Sequence, residues 1–216
     1  MVEKMLKVLG KTYPLTERNA GEYACQKING MTFLIRCFQA EGLGSVSAMT
    51  ASGFFGLMKM DTLIITPTEA DMPLLSYDRV HAMGNDTLIF ELYDTLLDKT
   101  DLSALDAVKE SSSALPEHDL GTHWYDSIKL KQSLSKRGKK AHTAAFDAVA
   151  VDYLAAYLDA ARTAPPCEAA AKREKASVYV KGLLAHGGPS TDVFKKSIGE
   201  EKTADLFRRV LFSTAD

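Results

Sequence analysis

The sequence predicts an α+β fold in which helices cover a mostly antiparallel sheet, and three observations carry that reading. Runs of alternating β-branched and aromatic residues, joined by short Gly/Asn connections, fill the first half of the chain. Strands joined this tightly are antiparallel, because a parallel pair needs a long crossover. The second half is instead rich in helical stretches with apolar stripes, and strands first with helices later is the α+β order. Finally, 216 residues with 46% hydrophobic content can bury a full core as one domain or a tight pair. A single domain over residues 1–216 is the expectation, since no internal repeat or low-complexity segment interrupts it.

Taken in order, Val2, Met5, Leu6 and Leu9 stand at helical spacing and give a short amphipathic helix ended by Gly10. Glu22–Ile28 and Met31–Phe38 flank Asn29-Gly30, and Asn-Gly between two alternating runs is a strong hairpin signal because both residues accept positive φ. Ser45–Ser52 is a small-residue strand, Gly53–Met60 fits either state, and Asp61–Thr66 is a strand ended by Pro67. Leu74–Met83 and Thr87–Tyr93 form another hairpin, connected through Gly84-Asn85-Asp86. Beyond it, Leu96–Glu110 reads as an acidic helix, Ser127–Ser133 as a further strand and Ser135–Lys140 as a basic turn. Ala144–Ala161 carries the stripe Phe146, Val149, Ala150, Tyr153, Leu154 and Tyr157, and Pro165-Pro166 stops that helix. Glu168–Leu184 is helical up to His186-Gly187-Gly188-Pro189. Thr191–Ile198 and Glu201–Phe212 form a last helix pair around Gly199.

Composition narrows the function. Charge is nearly balanced, 26 basic against 28 acidic residues, so nothing draws the whole chain to nucleic acid or anionic membrane. Cys25, Cys37 and Cys167 lie far apart, which suits a reducing compartment and offers neither a disulfide framework nor a CxxC zinc site. With no apolar run of membrane-spanning length and no apolar core in MVEKMLKVLGK, a soluble cytoplasmic protein is expected. Phosphate loops, nucleophile elbows and metal-ligand motifs are missing, and none of the five histidines has a spacing that singles out a metal. His118 and His123 read as a surface loop pair.

The stretch Asp71–Asp98 is the exception. On the strand Leu74–Met83, Tyr77, Arg79 and His81 share one face and Ser76, Asp78 and Val80 the other, so each face carries a polar group. A carboxylate mid-strand in a sheet core is costly unless chemistry uses it, which makes Asp78 the leading candidate. A concentrated basic run, including Lys136, Arg137, Lys139 and Lys140, reads either as a protected sheet edge or as a docking patch for an acidic partner.

Met72-Pro73-Leu74-Leu75-Ser76-Tyr77-Asp78-Arg79-Val80, with the corner Tyr93-Asp94-Thr95-Leu96, resembles the central hairpin of the ferredoxin-dependent bilin reductases. Ile35-Arg36-Cys37-Phe38-Gln39 and the C-terminal Val193–Glu201 and Arg209–Phe212 are similar in order and spacing, so the resemblance spans nearly the whole chain. The chain is identified as a divergent member of that superfamily, related to the red chlorophyll catabolite reductases. The resemblance implies a three-layer α/β/α sandwich that binds a linear tetrapyrrole between sheet and C-terminal helices. It also implies no flavin, nicotinamide or metal: ferredoxin or flavodoxin delivers single electrons, and side chains supply protons. Asp78 matches the family's central aspartate. The glutamate and histidine that accompany it in some members fall here near Met49-Thr50 and at Thr62, leaving Thr50, Thr62 and Ser76 as candidate substrate contacts. An Asn/Asp-Lys element of the family is replaced by His186-Gly187-Gly188-Pro189, making His186 a candidate second proton donor. Small residues (Ser45, Ser47, Ala48, Ser52) on a strand beside that of Asp78 are expected to leave room for a flat ligand. A tetrapyrrole carrier or sensor that kept the pocket without the chemistry is the alternative implied.

Overall fold

A computed structural model of the chain describes residues 1–215. Its centre is an eight-stranded sheet in the order β1-β3-β4-β5-β6-β7-β8, with β2 also paired to β3, and every pairing is antiparallel. The strands are β1 (Leu15–Arg18), β2 (Cys25–Ile28), β3 (Met31–Ala40), β4 (Gly44–Gly53), β5 (Met58–Pro67), β6 (Leu74–Ala82), β7 (Asn85–Tyr93) and β8 (Leu134–Lys139). Helices α1 (Val2–Thr12), α2 (Ser103–Ser111) and α3 (Thr143–Thr163) cover one face. Helices α4 (Ala169–His186), α5 (Pro189–Ile198) and α6 (Glu200–Asp205) cover the other, with the π-helical Leu206–Leu211 that continues α6. This is the α/β/α sandwich, and two apolar cores lie on either side of the sheet.

Several boundaries differ from the sequence reading, each for a local reason. The helix at the N-terminus runs on through Gly10 to Thr12, and the short edge strand β1 follows it. The β6–β7 turn is Met83-Gly84, with φ of 50° and 74°, so Asn85 and Asp86 join β7 instead of turning. A two-residue loop of this type needs positive φ at both positions, and Met83 accepts that cost beside Gly84. Residues 96–98 are not helical because the Leu97 and Asp98 amides donate to the Asp71 carboxylate, so α2 begins only at Ser103.

The largest correction concerns the basic segment. Ser127–Ser133 is no strand, whereas the basic turn expected over Ser135–Lys140 is mostly strand: Leu134–Lys139 is β8 and pairs with β7. Lys136 breaks the apparent pattern: its stem is buried and its amine reaches the Glu117 carboxylate and the Leu115 carbonyl. Lysine can line a core in this way while keeping its charge partnered.

Candidate functional site

The alternation of β6 sorts its ionisable residues between two environments. Arg79 is fully buried on the α3 side. Its guanidinium meets both Asp86 oxygens at 2.6 and 2.7 Å, lies 3.4 Å from Asp147 and packs 5.0 Å over the Phe146 ring. That charge is fully compensated and is structural. On the opposite face Asp78 has one hydrogen-bond partner among the described residues, the Thr62 hydroxyl, which donates at 2.5 Å from the directly paired position on β5. Asp78 is half-buried, its open side facing the space under the C-terminal helices, and a neutral donor does not balance a carboxylate there. Burial therefore pushes the Asp78 carboxyl up to about 6, with the nearby Glu91 charge adding to the rise and the Thr62 hydrogen bond opposing it.

Asp78 faces a cavity of about 330 Å³ between the sheet and the C-terminal helices. Its floor includes Met49, Met60, Thr62, Ser76, Asp78, Ile89 and Glu91; its roof includes Tyr179 and Leu183 of α4, Phe194 of α5, and Phe207 and Leu211. Such a volume, mostly apolar with a few convergent polar groups, is what a small-molecule site requires. The side wall comes from the segment 117–129, which brings in Leu120, His123 and Tyr125. That wall is fixed by Trp124, whose ring occupies the notch left by Gly182 on α4; a Cβ there would collide with it.

A tyrosine cluster continues from the wall. The Tyr93 hydroxyl donates to Glu91 Oε2 at 2.6 Å, and its ring stacks 4.1 Å from Tyr179 and meets Tyr125 edge-on at 5.4 Å. His123 lies parallel to Tyr125 with centroids 4.8 Å apart. Burial raises the hydroxyls of Tyr93, Tyr125 and Tyr179, so all three stay protonated, and Tyr93 donates to Glu91.

Of the residues singled out from sequence, Asp78, Thr62 and Ser76 come together in the cavity. Thr50 does not: it pairs with Asp61 on the face turned toward α1, and Met49 takes the cavity position. His186 is exposed at the end of α4, its ring 5.4 Å from Trp124 and outside the cavity lining. Strand β4 is separated from β6 by β5, so its small residues do not flank Asp78. Ser47 is instead closed over by the C-terminal turn, donating to the Leu211 carbonyl at 2.8 Å. In the basic run Lys136 is buried, whereas Arg137, Lys139 and Lys140 are exposed.

Glu91, Tyr93, His123, Tyr125 and Tyr179 also shape the site and were not singled out. The first two were within reach, because alternation along β7 and the hairpin pairing place Ile89, Glu91 and Tyr93 opposite Asp78, Ser76 and Leu74. His123 was read as surface, and nothing local in HDLGTHWY shows that Trp124 draws it inward.

No protein-family model matches the chain, and no curated protein matches it. A solved structure does: the phytochromobilin synthase from tomato, crystallised in complex with biliverdin, is 16% identical with a TM-score of 0.79. The superposition covers 99% of this chain and 82% of the tomato chain. The chain thus has the fold of that enzyme, the α/β/α sandwich that its resemblance to the bilin reductases implies.

Proposed function

We propose that the chain reduces a bilin-like linear tetrapyrrole held in the cavity, with Asp78 as proton donor and a ferredoxin or flavodoxin as source of single electrons. The observation that carries this reading is the place of Asp78: a carboxyl at the floor of a ligand-sized cavity, with the Thr62 hydroxyl as its one hydrogen-bond partner among the described residues and its proton held more tightly through burial. The shared fold with a biliverdin-bound synthase supports the choice of substrate class. Each electron added to a conjugated tetrapyrrole raises its basicity, and a proton placed beside it completes the step. Thr62 and Ser76 orient the acid and the substrate's polar edge.

Titration with biliverdin and other linear tetrapyrroles tests the reading. The visible spectrum of the pigment should shift on binding. Trp124, the one tryptophan in the chain, packs on the cavity residues Tyr125 and Tyr179, so its emission should fall as the cavity fills. Unchanged pigment spectra together with unchanged tryptophan emission would rule out both reductase and carrier. The carrier reading rests on the positions of the family's glutamate and histidine, which fall here near Met49-Thr50 and at Thr62, and anaerobic incubation with reduced ferredoxin separates the two. Binding without turnover selects the carrier.

Docking of an acidic electron donor is assigned to the exposed Arg137, Lys139 and Lys140, without the buried Lys136. Reversing these three charges should slow reduction at low ionic strength, and wild type should slow as salt rises, because exposed charges are screened over about 8 Å at physiological salt. Equal rates for mutant and wild type at low salt would return the three residues to the role of edge protection.

A further inference from the structure

Glu91 stands between two cavities. On one side it lines the Asp78 cavity; on the other it lines a smaller one of about 220 Å³ that opens to solvent past His118, Asp119 and Lys129. Among the described residues Leu120 is the one other residue that lines both, so Glu91 and Leu120 stand between the two cavities. Glu91 is 9% exposed. Its Oε2 accepts from Tyr93, while Oε1 is buried and has no hydrogen-bond partner among the described residues. Its nearest cation, Lys129 Nζ, is 3.8 Å away and closer to Asp126, at 2.8 Å. A buried carboxylate oxygen left unmatched in this way is costly unless it serves a purpose.

We propose that Glu91 relays protons from the surface pocket to Asp78. The register places Glu91 directly opposite Ser76 and diagonal to Asp78 on the same face. Diagonal Cβ atoms are about 7–8 Å apart or less, a span that two carboxyl groups, the Ser76 hydroxyl and one water bridge. The need for a relay follows from the proposed reduction, on which this inference rests. Saturating one double bond takes two electrons and two protons. Asp78 gives its proton to the substrate radical formed by the first electron and is left a carboxylate. Asp78 lies half-buried between the sheet and the helical roof, and it must be reloaded before the second protonation. Glu91, protonated from water in the surface pocket, passes its proton on and returns to the carboxylate.

The groups facing Glu91 are consistent with this role. Tyr93 on its own strand, Tyr179 on α4 and Tyr125 from the wall are protonated phenols that compete for no proton. His123, at the cavity wall, and His118, Asp119 and Lys129, at the pocket mouth, are the other titratable groups on the path.

The test reads proton movement without any substrate. After a rapid drop in pH, the infrared carbonyl band of protonated Asp78, assigned by its loss in Asp78→Asn, reports how fast that carboxyl is loaded. Glu91→Gln keeps the acceptor for Tyr93 and removes the exchangeable proton, so loading should slow by at least about tenfold, the scale on which a positioned acid–base group acts. Removing the Glu91 charge should also lower the midpoint of the Asp78 titration. Glu91→Asp should restore most of the loading rate, and formate added to Glu91→Ala should restore it through the surface pocket. A loading rate in Glu91→Gln equal to wild type overturns the relay, as does failure of both rescues. Turnover is scored separately: a wild type without bilin reductase activity overturns the proposed reaction, while the loading rate still decides the relay.

Discussion

Asp78→Asn is expected to keep the fold and bind pigment while losing about 10²–10⁴-fold in turnover, the cost of removing a positioned proton donor. With electrons still arriving, a reduced but unprotonated tetrapyrrole radical should accumulate and be visible by electron paramagnetic resonance. The same substitution should make the protein more stable at neutral pH. The Asp78 carboxyl stands at about 6 in the folded chain against 3.8 for the free side chain. Because the folded value is the higher one, the folded state binds more protons between these limits, and stability falls as pH rises through them. At pH 7 the ionised carboxylate costs the fold up to about 3 kcal/mol, which asparagine removes. Urea denaturation of both proteins at pH 4 and pH 7 checks this: the mutant's advantage should be present at pH 7 and nearly absent at pH 4. His186→Gln serves as the control. Its exposed ring lies outside the cavity, so turnover should persist; collapse in that variant with normal rates in Asp78→Asn would move the proton donor to the end of α4.

The sheet was legible because it is built from tight hairpins whose turns and alternation are local properties. Asn29-Gly30 joins β2 to β3 as read, and the side of β6 that carries Asp78 followed from period two alone. What failed were segments whose state is decided by distant partners. Residues 96–98 have helical composition, yet the carboxylate of Asp71 takes their amides. Lys136 reads as solvent-facing, yet Glu117 holds its amine at the end of a buried stem. The candidate site divides the same way. Asp78, Thr62 and Ser76 lie on paired strands and could be placed together, whereas Thr50 was one residue out, and a shift of one residue exchanges faces. The wall containing His123 and Tyr125 depends on Trp124 meeting Gly182 across 58 positions of sequence (182 − 124), which no local pattern reveals.

The clamp at Asp71 gives the largest expected effect on stability. Lys172 and Asp71 are both buried and meet at 2.8 Å. The amine also donates to the Thr95 carbonyl at 2.6 Å. Burial is the largest influence on each group. On Asp71 it is outweighed by the amine and the Leu97 and Asp98 amides, which hold the carboxyl below its usual value; on Lys172 it prevails and lowers the amine. Lys172→Met would leave the carboxylate buried beside an apolar side chain and should cost about 3–5 kcal/mol. Domains of this kind have about 5–15 kcal/mol in total, so the urea midpoint should drop sharply. Adding Asp71→Asn should recover most of the loss, because replacing both members of a buried pair is far cheaper than orphaning one. The consequence for the site is specific, since Lys172, Ala176, Tyr179 and Leu183 form one buried stripe of α4. Freed at Lys172, the helix should hold Tyr179 and Leu183 less firmly over Asp78, so pigment affinity should fall with stability in the single mutant and return with it in the double mutant. A single mutant with wild-type stability would show that the two amides alone suffice to hold Asp71.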